Sequence, residues 1–259
     1  MSPEPLPILH LDDDLVAVDK PAGLLVHPSA LDAHADGSAL EALQAQLGQR
    51  LWPLHRLDKG TSGVLLFVLN AEVAALLGQR FESGNGLKKT YHAMVRGWPA
   101  AHGLIDHPLK RMDDDDRPER TTLQDARTSF QALVRHTLPV AHGPYATTRA
   151  ARLALQPLTG RRHQLRRHLK HIAHPILGDA THGKGPLNRA LAAHLGLQRL
   201  WLHAWQLEVP HPETGAALRI DSGLRWPPVA APLSTPTLPP SAQDWQRLLC
   251  LPGWERRGS

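Results

Sequence analysis

The chain has 259 residues and 28.5 kDa, with 42% hydrophobic and 20% charged residues, a globular balance with enough length for a sizeable core. No apolar run approaches the length of a membrane span, the first ten residues lack a cationic-then-apolar signal pattern, and one cysteine, Cys250, excludes a disulfide framework or a thiolate metal cluster, so a cytoplasmic protein is expected. Net charge is +5, but residues 126–207 hold twelve Lys or Arg against one acid, Asp179, a segregation that suits a polyanion-binding face.

In chain order, residues 15–18 read as a strand, and Lys20-Pro21-Ala22-Gly23 as a turn into a second at 24–26. Residues 39–47 have helical composition. An apolar strand at 64–69 leads to Asn70, a cap for a helix over 71–81 that Ser83-Gly84-Asn85-Gly86 ends. Residues 89–96 alternate, with Tyr91, Ala93 and Val95 on one face and Thr90, His92, Met94 and Arg96 on the other. The charged stretch 110–127 reads as a loop or insertion. Strands follow at 128–134 and 149–155, then a helix over 162–173 with Leu165, Leu169 and Ile172 as its buried stripe. Strands at 199–209 and 217–220 and a proline-rich end complete the reading. The pattern predicts an α+β fold around a mixed, mostly antiparallel sheet flanked by helices, with residues 1–226 as a catalytic domain and 227–259 as a proline-rich tail.

The most informative segment is His55-Arg56-Leu57-Asp58-Lys59-Gly60-Thr61-Ser62-Gly63. It places one carboxylate between two cations at a tight turn, where it stays ionised and suits a nucleophile or base acting on an anionic ligand; a solvated loop aspartate is the plain alternative. The second is the basic helix from Arg161 to His171. One face is apolar, and its cations, Arg161, Arg162, Arg166, Arg167 and Lys170, are too many to be buried together. Arginines at a helix start oppose the macrodipole unless anions lie nearby, and either phosphates or Asp58 would serve. His163, His168, His171 and His174 are spaced by five, three and three residues. That is not the spacing of a helical zinc site, and no metal is expected. GxGxxG, GxxxxGK[ST] and GxSxG are absent.

These residues resemble a known family, the RluA-type pseudouridine synthases, from about residue 9 to 224. The Asp58 segment is similar to that family's catalytic motif. Lys20-Pro21-Ala22-Gly23 with Val26-His27-Pro28 resembles its first motif, and Lys89, Tyr91, Ala93, Val95 and Gly97 its third. Thr159-Gly160-Arg161 through His163-Gln164-Leu165-Arg166 and His168, with His174-Pro175-Ile176 and Gly178-Asp179, resembles the fourth. The pattern from His182-Gly183 through Asn188-Arg189 to Leu202-His203-Ala204 is similar to a subgroup whose target is uridine 65 of certain transfer RNAs. The chain is expected to start directly with the catalytic region, without the appended RNA-binding module of several ribosomal-RNA members.

The resemblance implies a pseudouridine synthase fold with a central basic active-site cleft. It makes Asp58 the catalytic aspartate, with Tyr91 contacting a flipped uracil and serving as base, and Arg166 paired with Asp58. Arg56 would hold the opened RNA, and Lys59, Arg161, Arg162, Arg167 and Lys170 would bind its phosphates. The reaction it implies uses no cofactor and no metal, on a transfer-RNA substrate, by a monomer without membrane association. A ribosomal-RNA synthase of the same family, a non-catalytic RNA-binding protein and a glycoside hydrolase are the alternatives. The last ordinarily needs two carboxylates, and the motifs supply one.

Overall fold

The computed structural model of the chain describes residues 5–28, 37–82, 87–112, 122–224, 243–245 and 248. The expected turn at 83–86, the acidic run 113–116 inside the charged loop, Cys250 and the proline-rich stretch 227–240 lie outside the described residues. In chain order the elements are β1 (Ile8–Leu11), β2 (Leu15–Lys20), α1 (Ala39–Leu47), β3 (Trp52–Pro53), β4 (Ser62–Val68), α2 (Ala71–Glu82), β5 (Lys88–Arg96), β6 (His102–Asp106), β7 (Leu109–Lys110), β8 (Leu123–Gln124), β9 (Arg127–Leu138), β10 (Thr148–Pro157), α3 (Gln164–His171), α4 (Gly185–Leu195), β11 (Leu202–Pro210) and β12 (Ala217–Asp221). They form two compact units, Met1–Lys89 with His203–Leu249, and Thr90–Leu202 with Cys250–Ser259. Among the described residues no helix is long and apolar enough to cross a membrane.

In the first unit β4 is the central strand, buried along its whole length. It pairs antiparallel with β2 on one edge. Its other edge is shared by β3 at Phe67 and Val68 and by β11, in parallel, at Ser62 and Gly63. Outer pairings of β1 with β2 and β12 with β11 are antiparallel. Leu15, Ala17, Val64, Leu66, Val68, Leu77, Leu207, Val209 and Ile220 make one apolar cluster, and each large side chain in it contributes about 1.5–3 kcal/mol by leaving water. Trp245 and Leu248 are also fully buried.

Helix α1 has both ends fixed locally. The Ser38 hydroxyl accepts from Glu41 N–H and donates to the Glu41 carboxylate, and Gly48 adopts φ 69° at the C-cap. The strand expected at 24–26 is instead one isolated bridge, Leu25 to Ser38. Its carbonyls at Leu25 and Val26 accept the Ala39 and Leu40 N–H groups, so they satisfy the helix start and not a ladder. Asn70 caps α2 as expected, its Oδ1 accepting from Val73 N–H at 2.8 Å.

In the second unit β10 lies between β5 and β9, antiparallel to both, and β6 pairs antiparallel with β9. β9 and β10 outrun their expected lengths because each lends the other partners from Thr128–Pro157 to Leu138–Thr148. In β5 residues 90–95 are buried on both faces, so the alternation read from sequence does not separate an inside from an outside. Helix α3 is shorter than the predicted 162–173, because His163 at φ 53° and Ala173 at φ 65° leave the right-handed helix. Leu165 and Leu169 are buried as expected, but Gln164, Arg166 and His168 are buried with them.

Candidate active site

The Asp58 segment is a turn held at both ends. Before it, Leu54 N–H donates to Leu66 C=O, and the His55 ring accepts Leu66 N–H through Nε2 at 3.2 Å. A nitrogen that accepts must be unprotonated, so the proton of a neutral His55 lies on Nδ1. Burial, reinforced by the Lys89 charge, pushes the His55 pKa down to about 3, and the ring is neutral at physiological pH. Burial lowers Lys89 itself to about 8. Leu57 is buried, Asp58 is half-buried, and Arg56 and Lys59 on either side are exposed.

Asp58 C=O accepts Thr61 N–H at 2.9 Å and closes the turn. Lys59 C=O is gripped by Gly23 N–H at 2.8 Å and by the Lys20 ammonium at 3.2 Å. Lys20 is fully buried, and Nζ also donates to Pro21 C=O at 2.8 Å and Leu24 C=O at 2.7 Å. Three carbonyls offer acceptors to the three donors of the ammonium, which lowers the cost of burying the cation. The sequence reading quoted Lys20 within a turn and within the segment resembling the family's first motif, with no partner assigned. Its grip on the backbone beside Asp58 is a tertiary fact.

The other expected site residues lie in the second unit. Tyr91 sits on β5 opposite Leu155 of β10 and is 8% exposed. Next to it, burial and then the Arg152 charge lower the His92 pKa to about 3. Arg166 is buried on α3, with Nε donating to Asp179 Oδ2 at 2.8 Å and Nη2 to Asp179 Oδ1 at 2.9 Å. Burial works to raise the Asp179 carboxyl. The Arg166 bonds, the His182 and Thr181 N–H groups and the guanidinium charge outweigh it, holding the carboxyl below its usual range. Sequence reading named Asp58 as the acid for Arg166; Asp179 is an acid partner it did not name.

Polar residues of the basic helix also do structural work. Gln164 Oε1 accepts from Thr159 Oγ1 and Arg161 N–H, while Nε2 donates to Arg127 C=O and Thr128 Oγ1. His168 meets Thr128 Oγ1 at 2.9 Å and His107 C=O at 3.0 Å. Together they bolt α3 to β9. With that face inward, Arg161 and Lys170 are exposed and Arg162 and Arg167 half-buried, so four of the expected phosphate-binding cations remain near the surface.

Among the described residues, Asp14, His211 and Glu213 bring three potential metal-ligand atoms within 4.8 Å of one another. His211 already uses both nitrogens: Nε2 faces Asp12 at 3.3 Å, and Nδ1 accepts the Glu213 and Thr214 N–H groups. The group is a capped turn, and no metal role follows from it.

A sequence model described as RNA pseudouridylate synthase matches residues 14–171. The chain is 42% identical over 254 residues to tRNA pseudouridine synthase C of Vibrio cholerae serotype O1, covering 96% of this chain and 97% of the relative. It is 41% identical over 254 residues to tRNA pseudouridine synthase C of Haemophilus influenzae, covering 96% and 99%. Among solved structures, it is similar to Human RNA Pseudouridylate Synthase Domain Containing 1, with TM-score 0.65, 25% identity and 85% of each chain covered. Human RNA Pseudouridylate Synthase Domain Containing 4 gives TM-score 0.63 and 27% identity, covering 93% of this chain and 92% of that one. With the match spanning Asp58, Tyr91 and the whole of α3, this chain belongs to the RNA pseudouridylate synthase family.

Proposed function

We propose that this protein isomerises a uridine of transfer RNA, at position 65, to pseudouridine in the cytoplasm, with Asp58 as the catalytic carboxylate. The observation that carries the transfer-RNA reading is the extent of the likeness. It runs over 96% of this chain, well past residue 171 where the family match stops. Asp58 fits the role because its turn is tied down on the Lys59 carbonyl while the carboxylate stays half-buried between two exposed cations.

The target uridine leaves its stack, at a cost of a few kcal/mol offset by pocket and phosphate contacts. Asp58 assists cleavage of the bond between C1′ and N1, by attack on C1′ or by removal of a sugar proton to give a glycal. The uracil turns, C5 bonds to C1′, and the C5 proton leaves while N1 regains one. Atoms balance without water, redox change or a second carboxylate. Tyr91 stacks on the base and accepts the C5 proton in this scheme. Arg166, which donates to Asp179 through Nε and Nη2, also pairs with Asp58 in this scheme. Arg56, Lys59, Arg161, Arg162, Arg167 and Lys170 hold phosphates.

Asp58→Asn tests the reading when tritium release from C5-labelled transfer RNA and RNA binding are both measured. Lost release with retained binding supports it; release near the wild-type rate rejects Asp58 as the catalytic group. Pseudouridine mapping in cells lacking the protein tests the target, since a modified position 65 that persists would remove it.

A further inference from the structure

We propose that His203 is a positioning residue for Asp58, acting through a buried chain of three side chains, Ser62–His203–Ser222; the proposal rests on the reading of Asp58 as the catalytic group. His203 Nδ1 lies 2.9 Å from Ser62 Oγ, and Nε2 lies 2.8 Å from Ser222 Oγ. All three residues are 0% exposed. Ser222 is itself fixed, its N–H donating to Trp205 C=O at 3.0 Å and its Oγ accepting Leu224 N–H at 3.5 Å. The Trp245 ring stands 6.1 Å from the imidazole and helps enclose it.

Ser62 is the first residue of β4, four positions after Asp58, and the Asp58–Thr61 bond joins them in one tight turn. At this point β4 meets β11 in parallel, His203 opposite Ser62 and Ala204 opposite Gly63. The approach is close enough that a Cβ on Gly63 would lie 2.2 Å from Ala204 O. The exit of the Asp58 turn is therefore anchored by backbone contact and by a side-chain chain. Its entry side is anchored independently by Leu54 N–H on the Leu66 carbonyl and by the His55 ring, which accepts Leu66 N–H. Asp58 stands between the two anchors.

An apolar side chain of similar size would fill the space at 203 and avoid the cost of desolvating an imidazole and two hydroxyls. Directional bonds give what dispersion does not, one angular setting of the strand start. A carboxylate acting at C1′ needs such a setting, because displacement by about 1 Å costs on the order of 100-fold in rate.

The test compares His203→Asn, His203→Gln, His203→Leu and Ser62→Ala in kcat and KM on transfer RNA, with urea unfolding of each. An Asn amide reaches the place of Nδ1 and preserves the bond to Ser62; a Gln amide reaches the place of Nε2 and preserves the bond to Ser222. The proposal expects His203→Leu, His203→Gln and Ser62→Ala to lose at least tenfold in kcat with KM within twofold, and His203→Asn to recover most of the loss. Combining Ser62→Ala with His203→Gln should lower kcat no further than the worse single change, since both break one link. Folded variants that all turn over within twofold of wild type overturn the proposal. So do losses equal in Asn and Gln that simply follow the urea midpoint. If His203→Leu does not fold, the Asn, Gln and Ser62→Ala variants decide the matter. Asp58→Asn, measured beside them, separates the two failures: wild-type release there removes the Asp58 assignment, whatever the His203 variants do.

Discussion

Arg166 and Asp179 form a two-pronged ion pair in the second unit, 2.8 and 2.9 Å, with the carboxylate side chain fully buried and the guanidinium 9% exposed. Asp179 also accepts the N–H groups of Thr181 and His182, so the acid ties the turn after α3 to the arginine on it. The cation-rich stretch 126–207 places its one acid where it fixes the arginine's direction.

Removing that acid should strip the buried Arg166 guanidinium of its two-pronged partner. Asp179→Ala is expected to lower unfolding free energy by about 3–5 kcal/mol in urea titrations. Asp179→Asn, which keeps an acceptor, should cost less. Equal stability of Asp179→Ala and wild type would mean that the pair does not hold this region.

Two glycines with positive φ separate backbone strain from close packing. Gly63 has φ 107° and would clash with Ala204, whereas Gly48 has φ 69° and open space around it. Gly63→Ala is expected to cost about 2–3 kcal/mol, strain plus overpacking, and to lower kcat. Gly48→Ala should cost about 1–2 kcal/mol with unchanged kcat, read from the same unfolding and turnover assays.

Acid should destabilise the fold through His55 and His92, both lowered by burial from 6.5 to about 3. Between those values the unfolded chain binds protons that the native rings refuse. The stability they support is therefore complete above pH 6.5 and lost as pH falls toward 3. The slope is at most about 1.4 kcal/mol per pH unit for each ring. Urea midpoints from pH 7.5 to 4.5 should drop less steeply in His55→Gln, whose amide can still accept Leu66 N–H. An unchanged slope would contradict a neutral, buried His55.

Surface cations should behave differently from the site. Arg161→Ala and Lys170→Ala are each expected to weaken transfer-RNA binding and to reduce the slope of log affinity against log salt by about 1, with kcat retained at saturating RNA. Filter binding across a salt series measures this. A slope equal to wild type would remove the residue from the phosphate-contacting set.

What could be read before folding follows from the range of the forces involved. Helix α1 matches the reading at both ends because Ser38 and Gly48 act within four residues of the turns they cap. Asn70 is legible for the same reason. β6 was missed, since His102–Asp106 alternates poorly and becomes a strand only through its register with β9. α4 was missed too: Gly185-Pro186 at its start reads as a break, although proline is well placed in a first helical turn. The stripe expected on α3 was incomplete, because apolarity alone does not reveal that Gln164 and His168 will find Thr128.

The linear order of residues determined the chemistry at hand: a carboxylate between cations at a Gly/Ser turn, a tyrosine on a strand, and a basic helix with one acid downstream. Folding alone decided their partners. Arg166 meets Asp179 from 13 positions away, Lys20 reaches Lys59 across 39, and Ser62 reaches His203 across 141. Hydrogen bonds act over about 3 Å. Which groups come that close is set by strand register and core packing, so local composition cannot announce it.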